Sequence, residues 1–274
     1  MKTILSIVIL LLLGSGANAE ADAPPPEIVT LAPILQQPSR DPIALKGALR
    51  RPEGRGPFAA VVLLHSCDGN FRRVDDRWGK TIASWRYVTL AIDSFGPRNI
   101  EDSCTGTIPT DMYYDPYQAL RFLAQQPYVD RSRIAVLGFS RGGFVALWSA
   151  EKTTVNLFAE KFRAAAAFYP PCDDVGRDIV VPTLILVGER DDWTLAKDCR
   201  DLAAGRSTAW TARNPDDLRK VHLIVYPNAH HAFDVTTLLP GRTLFGHWLE
   251  YNKSAADQAT IDLRSFLDQQ LGRR

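Results

Sequence analysis

The most informative segment of this chain is residues 133–150, RIAVLGFSRGGFVALWSA. An apolar run that predicts a buried strand breaks at Gly138-Phe139-Ser140-Arg141-Gly142-Gly143, and apolar residues then resume at helical spacing. The pattern G-x-S-x-G between a strand and a helix is typical of a sharp turn that holds a serine hydroxyl clear of a sheet. The flanking glycines fit this turn because it leaves no room for neighbouring Cβ atoms.

The chemistry of serine gives this turn a functional interpretation. A serine hydroxyl is a poor nucleophile at neutral pH, so an enzyme that uses one needs a general base and oriented N–H donors beside it. The helix that starts after Ser140 would direct free N–H groups at a developing oxyanion. The pattern therefore favours Ser140 as a nucleophile, and the alternative is an ordinary turn in which Ser140 only caps the helix.

The beginning of the chain predicts a secretory signal peptide at residues 1–19. Basic Lys2 precedes an apolar run at 4–13, and Ala17-Asn18-Ala19 has the small-x-small form of a cleavage site. The apolar run is too short to span a bilayer. We therefore expect an exported protein, periplasmic or secreted, that has no membrane partner after cleavage before Glu20.

The remainder, about 255 residues, is long enough for one domain with a large core. Loss of Lys2 brings the formal charge from +1 to zero, which gives no electrostatic basis for binding nucleic acid or a membrane surface. We expect an extended, Pro-rich leader at 20–40 and a single domain at 41–274.

Segments with the patterns of strands and helices alternate along this domain. Apolar runs predict buried strands at 58–64, 87–92, 134–137, 164–168, 183–187 and 222–226, with a further edge strand at 43–49. Helical spacing is found at 75–85, 115–126 and 255–271, and one more helix is expected within 197–220. This alternation predicts an α/β fold with a mostly parallel central sheet, helices on both faces and no large lid domain.

Reactive residues follow several of these strands. In such a sheet the ligand site lies beyond the carboxyl ends of the strands. Ser140 follows one strand, Asp191 follows a later one, His231 follows the last, and His65-Ser66-Cys67-Asp68-Gly69 follows an early one. The chain order nucleophile, acid, base is the order found in α/β-hydrolases. We therefore predict a Ser-Asp-His triad.

These motifs resemble the dienelactone hydrolase family within the α/β-hydrolase fold, over roughly residues 43–271. The resemblance rests on HSCDG (65–69), GFSRGG (138–143), GERDDWT (188–194) and HAF (231–233). It implies that Ser140 is the nucleophile, Asp191 the acid and His231 the base. The family's named members carry cysteine at the nucleophile position and glutamate after the strand that corresponds to 58–64. This chain has Ser140 and no glutamate at 65–69, so the resemblance carries over the fold and the hydrolytic class but not a dienelactone substrate.

Each of the last two assignments has a neighbouring competitor. The family pattern G-x-x-D favours Asp191 over Asp192, which would then face solvent or cap the helix near Thr194, and His-x-Phe favours His231 over His230. The adjacent histidines lack the H-x-x-x-H spacing of a zinc site, and no C-x-x-C motif is present. We expect no metal and no cofactor.

The backbone around the site supplies two further expectations. The fold requires one oxyanion donor from the residue after the nucleophile and one from the loop after strand 58–64, which nominates the N–H groups of Arg141 and Cys67. An exported chain favours disulfides. Of the three possible connectivities, we favour Cys67–Cys104 and Cys172–Cys199, because each would join loops that follow neighbouring strands.

The expected function is hydrolysis of a carboxylic ester or lactone, a small-molecule substrate, through an acyl-serine intermediate. Another acyl transfer on the same triad, such as amide or peptide hydrolysis, is the first alternative. A binding protein that keeps the fold without catalysis is the second, since fold alone does not decide function.

Overall fold

The computed structural model describes residues 25–34, 42–106, 110–173, 175, 178–206 and 220–272. Within them, eight strands form the main sheet in the order β1-β2-β4-β3-β5-β6-β7-β8. The pairs β1–β2 and β2–β4 are antiparallel, and every pair from β4 to β8 along this order is parallel. The strands are β1 (Glu27–Leu31), β2 (Leu45–Arg50), β3 (Phe58–Leu64), β4 (Val88–Asp93), β5 (Val129–Phe139), β6 (Ala164–Phe168), β7 (Thr183–Gly188) and β8 (Val221–Tyr226).

Helices cover both faces of this sheet. One face packs against the helical segments 71–84 and 253–271 through Trp78, Ile82 and Leu263. The other packs against the helices at 115–124, 141–148 and 196–203 through Leu120 and Leu202 among others. The mostly parallel α/β sheet predicted from the sequence is therefore confirmed. The helices are α1 (Phe71–Val74), a π-helical segment (Asp75–Gly79), α2 (Lys80–Ser84), α3 (Asp115–Ala124), α4 (Arg141–Trp148), α5 (Lys152–Val155), α6 (Ala196–Ala203) and α7 (Lys253–Leu271).

The central strands are apolar throughout because neither of their faces meets water. All seven residues of β3, FAAVVLL, are buried, and so are all five of β6, AAAAF. A parallel strand covered by helices on both sides has this continuous pattern, whereas a half-exposed strand alternates. The neighbouring strands β3 and β5 run in register, with Leu64 opposite Gly138, so their carboxyl ends meet at one edge.

The prediction of a leader at 20–40 is wrong for Glu27–Leu31. These residues form β1, which pairs antiparallel with β2, so β2 is not the edge strand that we expected. Leu31 is 0% exposed and Ile34 is also buried, so the segment contributes to the core. The surrounding prolines favoured an extended leader in the prediction, but pairing with β2 makes this segment a strand. The predicted signal peptide at 1–19 lies outside the described residues.

A small hairpin outside the main sheet was not predicted. Strands β9 (Arg242–Leu244) and β10 (His247–Leu249) pair antiparallel, and Phe245 and Gly246 at the tip have φ values of 54° and 88°. Positive φ at both central residues gives the tight two-residue turn that suits twisted strands. Among the described residues, no helix combines the length and apolar character that crossing a membrane requires.

Candidate active site

Ser140 lies at the turn between β5 and α4, in a strained backbone conformation. Its φ and ψ are 51° and −115°, and its N–H donates to the Phe168 carbonyl oxygen at 2.9 Å. A Cβ at Gly138 would lie 1.9 Å from the Gly142 carbonyl oxygen, and one at Gly142 would lie 2.4 Å from the His65 carbonyl oxygen. Only glycine fits at either position. The turn expected from G-x-S-x-G is therefore present, at a backbone cost of about 1–3 kcal/mol.

The structure brings the three predicted side chains together. Ser140 Oγ lies 3.0 Å from His231 Nε2, and His231 Nδ1 lies 2.8 Å from Asp191 Oδ2. The three residues are 7%, 2% and 3% exposed, respectively. With the Nδ1 proton donated to the carboxylate, Nε2 is left as an acceptor for the serine hydroxyl. This arrangement can remove a proton from Ser140.

Donors from its own loop fix the carboxylate of Asp191. The N–H groups of Trp193 and Thr194 donate to Oδ1 at 3.0 and 2.8 Å, and the Thr194 hydroxyl lies 2.8 Å from Oδ2. Asp191 therefore stabilises the turn that leads into α6, whereas Asp192 is exposed to solvent, which is one of the two positions expected of it. Thr194, which the sequence analysis did not assign to the site, could have been noticed from its position three residues after the acid.

The two competing residues point elsewhere. Asp192 accepts the Trp248 backbone N–H on Oδ2 at 3.3 Å and faces the hairpin. His230 Nε2 lies 4.0 Å from Glu250. In the described part of the chain, Asp192 has no hydrogen bond to His231 and His230 has none to Ser140, so the geometry favours Asp191 and His231.

The two predicted oxyanion donors occupy equivalent positions just after two adjacent strands, β3 and β5. Cys67 and Arg141 each stand three residues beyond the paired residues Leu64 and Gly138. Arg141 is the first residue of α4, so its N–H lies at the free end of the helix. The carbonyl oxygen of Cys67 accepts the Ser103 N–H at 2.8 Å, which ties this loop to the segment after β4.

The structure pairs the cysteines as favoured from the sequence. Cys67 bonds to Cys104 and links the loop after β3 to the loop after β4. Cys172 bonds to Cys199 and links the loop after β6 to α6. Both bonds therefore join segments that follow strands at the carboxyl edge of the sheet.

His65 supports the same edge through its ring. Its Nδ1 lies 2.8 Å from the Ser66 carbonyl oxygen, and its Nε2 lies 3.2 Å from the Ser94 N–H. Burial lowers the pKa of His65, so the neutral ring donates from Nδ1 and accepts at Nε2. His65 is therefore a structural hydrogen-bonding group at the end of β3.

The buried carboxylate of Asp234, which reaches His231 through Tyr169, was not predicted from the sequence. Asp234 accepts the Tyr169 hydroxyl at 2.7 Å, Trp78 Nε1 at 2.8 Å and Arg77 Nε at 3.2 Å. Burial, and then the charge of Asp234, raises the pKa of Tyr169 well above its usual range, so Tyr169 remains a donor. The Tyr169 ring meets the His231 ring edge-on at 4.8 Å. Tyr169 could have been noticed in the sequence because it directly follows β6, whereas Asp234 follows no strand directly.

A cavity of about 780 Å³ opens above Ser140 and His231. Its lining includes charged residues of the loop after β3 and of α1 to α2. Trp193 and the hairpin, including Arg242, also contribute to it. Among the described residues, no three His, Cys, Asp or Glu side chains are grouped to hold a metal ion. The cavity lining includes Cys67, Asp68, Arg73, Arg77, Trp78, Trp193, Asp234, Leu244, Phe245 and Leu249.

The chain is similar to known proteins in sequence and in fold. A model of the dienelactone hydrolase family matches residues 45–271. The probable 2-oxo-3-(5-oxofuran-2-ylidene)propanoate lactonase of Bradyrhizobium sp. is 26% identical over 201 residues, which are 68% of this chain and 77% of that protein.

Two solved structures share the fold. A dienelactone hydrolase-like promiscuous phosphotriesterase from metagenomic libraries has a TM-score of 0.67 and 17% identity, with 91% of this chain and 100% of that one covered. A thermophilic esterase of Thermogutta terrifontis has a TM-score of 0.61 and 16% identity, with 92% and 93% covered. The chain therefore belongs to the dienelactone hydrolase family, has an α/β-hydrolase fold and is a hydrolase that acts on ester bonds.

Proposed function

We propose that this enzyme hydrolyses carboxylic esters or lactones through an acyl-serine intermediate on Ser140. The observation that carries the proposal is the continuous line from Ser140 Oγ to His231 and on to Asp191, with distances of 3.0 and 2.8 Å. As Oγ attacks the carbonyl carbon, its proton passes to His231 Nε2. Asp191 orients the imidazole and stabilises its positive charge.

The negative charge of the tetrahedral intermediate falls on the former carbonyl oxygen. We assign the N–H groups of Cys67 and Arg141 to bind it; one such donor typically contributes about 3–4 kcal/mol. Collapse breaks the bond to the alcohol oxygen, which takes the proton from His231. Water then attacks the acyl group with the same base and releases the acid and Ser140.

Both lactones and open esters fit this scheme, because in a lactone the leaving alcohol simply remains attached to the acid. The Bradyrhizobium relative is named for a lactone and the Thermogutta structure for an esterase. Each step uses only the chain's own groups and water.

Export is part of the proposal. The predicted signal peptide at 1–19 indicates it, and the two disulfides support it because such bonds persist mainly in oxidising compartments.

A serine-reactive probe tests the nucleophile. We expect a fluorophosphonate to add one adduct to the wild type, mapped by mass spectrometry to Ser140, and none to Ser140→Ala. That variant should lose about 10⁴-fold or more in kcat on phenyl acetate. Ser66→Ala, which removes another serine that lines the cavity, is the matched control and should still be labelled. Labelling of Ser140→Ala with retained turnover would refute the mechanism, and faster cleavage of an anilide than of its matched ester would favour amide hydrolysis.

A further inference from the structure

The hairpin of β9 and β10 supplies a wall of the cavity that the proposed chemistry does not use. It is attached to the site directly, since Leu249 on β10 forms a backbone bridge with His231. Phe245 at its tip lines the cavity and is 54% exposed. A large aromatic ring is thus left uncovered at the mouth of the cavity, although burying it would be favourable.

Trp193 connects this wall to the reacting groups. Its ring centroid lies 5.0 Å from that of His231 and 5.7 Å from that of Phe245. His247 stacks on it at 4.9 Å with an interplanar angle of 8°. The Trp193 backbone is also held, since its N–H donates to Asp191. An ordered aromatic surface therefore extends from the histidine to the hairpin tip.

Two arginines that line the cavity are paired with carboxylates of the protein. Arg73 pairs with Asp68, and Arg77 pairs with the buried carboxylate of Asp234. Arg73, together with the Ser66 hydroxyl, outweighs the effect of burial and lowers the pKa of Asp68. Those groups already satisfy one another, whereas the aromatic surface has an exposed ring at its end.

We infer that Trp193 and Phe245 form a subsite for an aromatic ring of the substrate, on its acid or its alcohol side. This inference rests on the proposed function, since the ring would be placed beside the acyl group on Ser140. Aromatic rings attract one another edge to face or offset at centroid separations of about 4.5–7 Å. One such contact corresponds to a change of about 2- to 12-fold in kcat/KM.

Three esters and three variants test the subsite. Phenyl acetate carries the ring on the alcohol, ethyl benzoate carries it on the acid, and ethyl acetate has none. We expect Phe245→Ala to lower kcat/KM for at least one aryl ester about fivefold relative to ethyl acetate, and Phe245→Tyr to restore it. The ester that is affected identifies the side of the substrate that binds there.

Trp248→Ala is the matched control, because Trp248 is an aromatic residue of the same hairpin, 39% exposed, that does not line the cavity. It should leave the aryl-to-alkyl ratio within twofold of the wild type. An unchanged ratio in Phe245→Ala, or an equal change in Trp248→Ala, overturns the subsite. If that happens while ethyl acetate is still cleaved through Ser140, only the subsite fails. Retained cleavage in Ser140→Ala would overturn the proposed function itself.

Discussion

The turn at 138–143, which carries Ser140, and the hairpin at 242–249 both contact His231, but they differ in how tightly they are packed. In the turn, backbone atoms are so close that a Cβ at Gly138 would lie 1.9 Å from a carbonyl oxygen. In the hairpin, a Cβ at Gly246 would have no neighbour within 4 Å. The turn is inside the close-packed core, and the hairpin projects from it.

This difference separates two tasks. A reaction that needs a hydroxyl within hydrogen-bond distance of an imidazole requires a rigid support, because small displacements cost large factors in rate. Contact with a variable substrate group is made by surface segments, which tolerate change. The turn should therefore control kcat, and the hairpin should control which ester is accepted.

The two adjacent aspartates give the largest expected contrast, because Asp191 faces the imidazole and Asp192 faces the hairpin. Asp191→Asn should lower kcat about 10⁴-fold with little change in the melting temperature, since the imidazole loses its orienting carboxylate. Asp192→Asn should change kcat by less than about tenfold. Steady-state kinetics on phenyl acetate with thermal melts measures both, and the reverse order would show that Asp192 serves as the acid.

Glycine substitutions test the packing difference directly. Gly138→Ala should lower the free energy of unfolding by more than about 4 kcal/mol, because backbone atoms would have to move apart. Gly246→Ala should cost only about 1–2 kcal/mol, which is the penalty for a positive φ in open space. Urea denaturation measures both values, and equal losses would remove the contrast between the two regions.

The two disulfides test whether the loop after β3 needs the same rigid support as the turn at Ser140. Replacing Cys67 and Cys104 by alanine should cost about 3–4 kcal/mol of stability by the chain-entropy estimate, and so should replacing Cys172 and Cys199. The first replacement should also lower kcat more than it changes KM. Residue 67 keeps its N–H, which is proposed to bind the oxyanion, but the bond that holds its loop in place is lost. The second pair is the control for a purely structural loss. Equal kinetic effects of the two replacements would argue against an oxyanion role for Cys67.

The smallest expected effect is a pH dependence from His65, whose carbonyl oxygen packs against Gly142 in the turn. Burial lowers the pKa of His65 in the folded state, whereas an unfolded histidine titrates near 6.5. The unfolded chain therefore binds the extra proton first as the pH decreases. The free energy of unfolding should fall below about pH 6.5, by at most about 1.4 kcal/mol per pH unit, until the folded-state pKa is reached.

His65→Gln should flatten this acid limb in denaturation curves taken at several pH values. His222→Gln is the control, because that histidine is exposed on β8. The same slope in His65→Gln and the wild type would mean that another group causes the acid destabilisation.

The positions of the reactive residues could be predicted because they depend on local patterns. Ser140, Asp191 and His231 each follow an apolar run, and parallel strands bring their carboxyl ends to one edge. Tyr169 follows such a run too and could have been included by the same rule. Glu27–Leu31 was not recognised as a strand, because prolines precede and follow it and its pairing with β2 is visible only in the folded chain.

The parallel α/β sheet, the turn at Ser140 and the order of serine, aspartate and histidine could be predicted from local patterns. Buried strands and glycine-bounded turns produce such patterns in the sequence. Only the tertiary structure placed the Asp191 carboxylate 2.8 Å from the imidazole of His231, the Asp234 carboxylate against the Tyr169 hydroxyl, and the hairpin beside His231. These contacts join segments far apart along the chain. Their geometry follows from how the whole core packs, and no short stretch of sequence contains it.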